Sequence, residues 1–203
     1  KKPIKDRAYF QIEIIKKIIK KKEKLNFLDI GCFDGLLLKK LSQNFSNSKF
    51  YGLDINKYLK DKFPKKNNFY FNLDIDEIDK EVRFDIIIFS HSIMYIKTLH
   101  KMIKALTDKL SDNGRIIINT PNYEKNPYYY LMSDNFHFIN TINIKNIFSV
   151  FSLSVTKIRK KFLHNENMYV VKKTNKKFNI KKIKNDYYKN LFEKILVVKN
   201  KIN

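Results

Sequence analysis

The stretch Asp29-Ile30-Gly31-Cys32-Phe33-Asp34-Gly35 constrains this chain more than any other. It ends LNFLDI, a short apolar run that reads as a buried parallel strand over residues 25–30. It leads into a segment whose Leu36, Leu37, Leu38, Leu41 and Phe45 predict a helix over 33–45. Strand, glycine turn and helix in that order put the turn at the open end of a parallel sheet, where bare backbone lets a ligand come close. Asp54 closes the next strand, KFYGLD. A carboxylate in that place can accept both hydroxyls of a ribose. Together these residues point to a nucleoside cofactor. A dinucleotide fingerprint needs G-x-G-x-x-G, but Phe33 and Leu36 stand at its second and third glycine positions, and no G-x-x-x-x-G-K-[ST] loop exists. NAD and ATP are therefore disfavoured against a cofactor with ribose and adenine but no phosphate.

The rest of the chain alternates in the same way. Helices are predicted over 7–22, 98–110 and 141–150, with a short one over 57–63 stopped by Pro64. Further strands are predicted over 49–54, 68–74, 84–90, 115–120, 152–158 and 167–173, with a turn at Asn113-Gly114 before the fifth strand. This is an α/β pattern, a three-layer sandwich around a mostly parallel seven-stranded sheet with an antiparallel hairpin at one edge. Residues 1–173 make one domain; 174–203 are a Lys/Asn-rich extension or linker with a predicted helix over 187–199. The chain starts without Met, so residue 1 is not read as the native start, and a further domain can lie beyond either end.

With 203 residues, 17 Phe and 12 Tyr, the chain can build a core without disulfides or structural metal. Cys32 is its one cysteine, no apolar run approaches a membrane span, and the N-terminus lacks a secretory signal, so the cytoplasm is the expected location. The net charge of +22 suggests a nucleic-acid partner, but the lysines run from Lys1 to Lys201 without clustering, and arginine occurs only at Arg7, Arg83, Arg115 and Arg159. A compositional bias explains this better than a specific nucleic acid, although the field still favours anionic substrates.

FLDIGCFDG resembles the first motif of class I S-adenosylmethionine-dependent methyltransferases, usually D-x-G-x-G-x-G. Asp54, Asp74 in FNLDID, FDIIIFSHSIMYI, LSDNGRIIINTPN and DNFHFINTINIKNIFSVF follow in the family's order, so the resemblance covers residues 7–173. It implies a Rossmann-like fold and S-adenosyl-L-methionine as cofactor. It assigns cofactor contacts to Asp29, Gly31, Cys32, Phe33, Gly35, Asp54 (ribose), Ile55, Asp74 (adenine amino group), Ile75, Ser90 and His91. Phe33 in place of the middle glycine, and Asp112-Asn113-Gly114 in place of Pro-Gly-Gly, are departures from the family pattern.

Methyl transfer from a sulfonium needs an acceptor aligned behind the methyl carbon, and no metal. A hydroxyl acceptor also gains from a base. The candidates are His137 in the loop after the fifth strand, favoured slightly, and His91 after the fourth strand; Tyr95 is a candidate for orienting the acceptor. His100 and His164 fall on a surface helix and a hairpin turn, and Cys32 is expected to offer its backbone and not a nucleophile. The sequence motifs of amino-methylating, cytosine-C5 and ribose 2′-O nucleic-acid enzymes are missing, whereas the TPN and HF features resemble small-molecule members. The expected reaction is O-methylation of a small polar acceptor, a saccharide or sugar nucleotide first, with Tyr123, Tyr128, Tyr129 and Tyr130 either stacking on a sugar or packing on the domain. An N-methyltransferase of amino sugars, an RNA methyltransferase and a non-catalytic cofactor-binding module are the alternatives.

Overall fold

Short apolar strands rich in Phe and Ile, each separated from the next by a helix or a turn, can bury both faces only in a central sheet. The computed structural model shows this arrangement; it describes residues 6–19, 24–126, 129, 130, 132, 134–158 and 165–175. The expected hairpin tip with His164, Tyr128 and the expected helix over 187–199 lie outside the described residues. The elements are α1 (Arg7–Ile18), β1 (Asn26–Ile30), α2 (Leu36–Ser42), β2 (Lys49–Leu53), β3 (Phe69–Asn72), β4 (Phe84–Ser90), α3 (Leu99–Lys109), β5 (Leu110–Pro121), α4 (Thr141–Ser149), β6 (Leu153–Lys157) and β7 (Glu166–Lys173). One sheet has the order β3-β2-β1-β4-β5-β7-β6. β3 to β5 pair in parallel, and β7 runs antiparallel to both β5 and β6. The strand order reverses between β1 and β4, and ligands bind beyond the carboxyl ends of the strands at such a point.

Each face carries its own core. α1 and α2 cover Phe27, Phe50, Ile86, Ile88 and Ile117; α3 and α4 cover Leu28, Ile87, Phe89, Ile116 and Tyr169. The phenylalanines form a cross-strand ladder, with Phe27 stacked on Phe50 at 5.2 Å and Phe50 on Phe69 at 4.9 Å. Such aromatic pairs stabilise neighbouring strands beyond their area burial. Asp6 caps α1 by accepting from the Tyr9 amide at 2.8 Å and pairs with Lys40 of α2 at 2.6 Å, so the first helix is tied to the second.

Three expectations need correction. The helix predicted from residue 33 begins at Leu36, because Phe33 and Gly35 take left-handed φ values of 49° and 74° and form the turn. The short helix near 57–63 is one 3-10 turn, Lys57–Leu59. The Asn113-Gly114 turn does not precede the fifth strand but lies inside it. Phe84 pairs with Leu110 and Ile86 with Arg115, so the intervening residues of β5 loop out without ending the strand.

Candidate functional site

The glycine turn after β1 is tied to the end of the neighbouring strand, β2. Gly31 and Cys32 both donate to the Leu53 carbonyl, at 2.7 and 3.2 Å, and Gly35 donates to the Cys32 carbonyl at 2.9 Å. Phe33 donates to Asp54 Oδ2 at 3.0 Å and Leu36 to Asp34 Oδ1 at 3.1 Å. These amides are engaged inside the turn, so they form no outward-facing nest of the kind that cradles a phosphate. The Cys32 amide is taken up by the Leu53 carbonyl. Its thiol is buried, with burial pushing its pKa up, so it stays protonated and inert.

Asp54 is held by two backbone donors, Phe33 on Oδ2 and Asn56 on Oδ1, both at 3.0 Å. Each oxygen retains a lone pair for a ribose hydroxyl. Next to it Ile55 is 90% exposed, an apolar surface where a purine ring can lie. Asp74, just past β3, is exposed and caps a 3-10 turn by accepting from Asp76. The Ile75 side chain is buried in the core, so a contact from this residue to the site would come from its backbone.

Strand alternation places a second set of polar residues under α1, on the face that also carries Phe27, Ile88 and Ile117. Asp29 on β1, Ser90 on β4, Asn119 on β5 and Glu166 on β7 all follow this alternation. Gln11 of α1 is fully buried, and neither atom of its amide has a partner; Asp29 Oδ1 is likewise buried and unpartnered. Buried polar atoms without partners are rare and mark places where water or a ligand belongs. Gln11 also lines a cavity of about 420 Å³, together with Arg7, Leu36, Lys40, Ser90 and Glu166. Charged residues of both signs, Arg7, Lys40 and Glu166 among them, stand on its wall, a lining that fits the zwitterionic end of an amino-acid cofactor.

Burial pushes the Asp29 carboxyl up to about 8, with the Asp54 charge adding to the effect. Its folded value thus lies above an unfolded value near 3.8. Between those values the folded chain holds a proton that the unfolded chain has lost, so stability falls as pH rises through that window. Thermal melts of the cofactor-free protein from pH 5 to pH 8 should show Asp29→Asn gaining steadily on the wild type. A difference that stays constant with pH would refute this charge assignment.

The histidines separate clearly. His91 leaves β4 with φ 60°, a left-handed conformation rare outside glycine, and its Nε2 lies 3.3 Å from Glu166 Oε1. His137 sits in the loop after β5, which is stitched to the turn after β4: Phe136 and His137 amides both donate to the Met94 carbonyl. His137 Nε2 lies 3.0 Å from the Ile96 carbonyl, so this ring fastens the loop. Tyr95 is 43% exposed on the same turn. Tyr123 is buried and packs on Tyr129, Tyr130 and Phe138, so of the two roles left open for it, packing on the domain is the one observed. His100 on α3 is exposed and lies against Phe151. Among the described residues no group of three or more His, Cys, Asp or Glu could hold a metal, and no helix is long and apolar enough to cross a membrane.

Arg7, Gln11, Asn119 and Glu166 were not singled out from the sequence. Gln11 left a trace there, as a polar residue on the face of α1 that Ile14 and Ile15 share. Asn119 and Glu166 left none, since only the β5–β7 register brings them together.

Comparison with known proteins agrees with this geometry. Residues 4–166 match the family model described as a methyltransferase domain. The chain is 29% identical over 128 residues to the ubiquinone biosynthesis O-methyltransferase of Rickettsia typhi, covering 61% of this chain and 52% of the relative. It is 26% identical over 103 residues to the malonyl-[acyl-carrier protein] O-methyltransferase of Acetivibrio thermocellus, covering 49% and 36%. The matches thus span about half the length of these relatives or less. Among solved structures, an S-adenosylmethionine-dependent methyltransferase from Clostridium acetobutylicum superposes with a TM-score of 0.61 at 16% identity, covering 83% of this chain and 92% of that one. An amino pentose methyltransferase from Micromonospora echinaspora gives 0.62 at 12%, covering 85% and 92%. With a family model matched over residues 4–166 and the strand order of a Rossmann-like sheet, the chain belongs to the methyltransferase-domain family, of the class I S-adenosylmethionine-dependent type.

Proposed function

We propose that this enzyme transfers a methyl group to a hydroxyl of a small polar acceptor, a saccharide or sugar nucleotide in the first instance. The observation that carries the reading is the pairing of a ribose-ready Asp54 with the buried, unpartnered Asp29 and Gln11, the latter lining a cavity walled by charges of both signs. Curated relatives named as O-methyltransferases and a structural neighbour named as an amino pentose methyltransferase support the direction. The net positive charge favours an anionic, nucleotide-linked form of the acceptor.

The bound cofactor supplies an activated methyl on a cationic sulfur. The chain supplies the rest: Asp54 fixes the ribose, Gln11 and Asp29 hold the amino-acid end, and the loop after β5 roofs the edge beside Tyr95. A base completes the set, and His91 takes that role in place of the favoured His137, whose Nε2 is committed to the loop. A second reading, a hydroxylated aromatic acceptor, draws on the exposed Tyr95, Phe136 and Phe138 around the post-β4 turn.

A panel of sugar nucleotides, free sugars and hydroxylated aromatics, scanned for transfer of a labelled methyl, tests both readings. With the acceptor in hand, His91→Ala should lower kcat by about 10²–10⁴, the scale of general-base catalysis, while His137→Ala leaves kcat within about tenfold of wild type. The reverse pattern would move the base to His137. Methylation of amines alone would remove the need for either.

A further inference from the structure

We propose that Glu166 is the positioning residue for His91: the β7 carboxylate and the imidazole at the end of β4 form an acid–histidine dyad that holds Nε2 inward and leaves Nδ1 to accept the acceptor's proton. This rests on the O-methyltransferase reading above and extends it to residues outside the glycine turn and the β4 motif.

The dyad stands on geometry. Glu166 Oε1 lies 3.3 Å from His91 Nε2, and the two side chains are only 15% and 18% exposed. The Nε2 atom is buried, with no aligned hydrogen bond. An imidazole lone pair aimed at a carboxylate would be repelled, so the proton of the neutral ring belongs on Nε2 and the basic lone pair on Nδ1. Glu166 is itself fixed from two further elements. Arg7 of α1 grips it with Nε at 3.1 Å from both oxygens and Nη2 at 2.7 Å from Oε1. Asn119 of β5 donates to Oε2 at 2.6 Å. An ion pair serving only to latch α1 onto the sheet would need Arg7 but would not bring the His91 ring to the same oxygen. The left-handed backbone of His91 is a further sign, since such conformations persist where the surroundings enforce them and cluster at functional sites.

Electrostatics fit the role. Burial pushes the Glu166 carboxyl up, but His91 and Arg7 together more than offset it and bring it down to about 2. Glu166 is thus ionised across working pH, too weak a base to take the proton itself and well suited to stabilise an imidazolium. In the transfer step the acceptor oxygen forms a bond to the methyl carbon as the C–S bond breaks. That electron pair stays on sulfur, and the hydroxyl proton passes to His91 Nδ1. The imidazolium, held against Glu166, then gives its proton to solvent.

The charged groups facing His91 are Glu166 from β7 and, behind it, Arg7 from α1. Nitrogen-15 NMR on the protein's four histidines reads the tautomer of each ring, with His91→Gln used only to assign the resonance. Spectra of the wild type, which need no variant to fold, should show the Nε2–H tautomer for neutral His91. Glu166→Leu, which removes the carboxylate, should release that preference and give a mixture with Nδ1–H. An Nδ1–H tautomer in the wild type, or a tautomer unmoved by Glu166→Leu, overturns the dyad. Calorimetry with S-adenosylmethionine keeps the two levels apart. Failure of the wild type to bind it counts against the methyltransferase reading, while the NMR decides the dyad.

Discussion

Replacing Asp54 with alanine should weaken S-adenosylmethionine binding by at least about 1.5 kcal/mol, more than tenfold, because hydrogen bonds to a charged group contribute about 1.5–3 kcal/mol and two face the ribose. The loss has a second source. Asp54 also orders the turn by accepting from Phe33 and Asn56, so the alanine variant presents a looser loop to the cofactor. Asp54→Asn should fall between the two, since its amide keeps one acceptor oxygen and turns the other position into a donor. Isothermal calorimetry on folded variants reads the difference directly. Wild-type affinity in Asp54→Ala would remove Asp54 from the cofactor site and, with it, the main support for reading the β2 end as the nucleoside subsite.

Gly31→Ala should be strongly destabilising. Gly31 has φ 71°, and a Cβ there would lie 2.6 Å from Ser92 Cβ. A left-handed residue with a Cβ costs about 1–2 kcal/mol, and an overpacked contact against the Ser92 side chain about 1–3 kcal/mol. The sum, about 2–5 kcal/mol, would lower Tm by about 5–15 °C in a domain of this size. Adding Ser92→Gly should recover the steric part and leave only the conformational part. A double variant no more stable than the single one would show that the close approach of the β1 and β4 loops does not set the cost. The neighbouring Phe33 holds φ 49° without being glycine, so the conformational part alone is tolerated here; the contact with Ser92 makes Gly31 different.

Much of the fold was legible in advance because its signals are local. Apolar runs of strand length, helical spacing of leucines and isoleucines, and the glycine turn each act within a few residues. Their order specified a mostly parallel sheet with an antiparallel edge hairpin, as observed. The errors are local too. The helix after the turn starts late because Phe33 and Gly35 adopt left-handed backbone, and Asn113-Gly114 loops out of β5 without ending it. Neither outcome follows from propensity, since φ at a single residue and slack in a ladder are decided by the neighbouring strand.

The proposed nucleoside half of the site was determined by the sequence itself, because Gly31, Phe33, Asp54 and Ile55 follow the ends of consecutive strands and any chain that pairs β1 with β2 must bring them together. The other half was decided only by tertiary structure. Arg7, His91, Asn119 and Glu166 come from α1, β4, β5 and β7 and meet because β7 runs antiparallel beside β5 with Glu166 opposite Pro121. A one-residue slip in that register would turn Glu166 to the other face of the sheet and separate it from His91 and Arg7. The two candidate histidines are told apart in the same way: only packing gives His91 a carboxylate and His137 a backbone carbonyl.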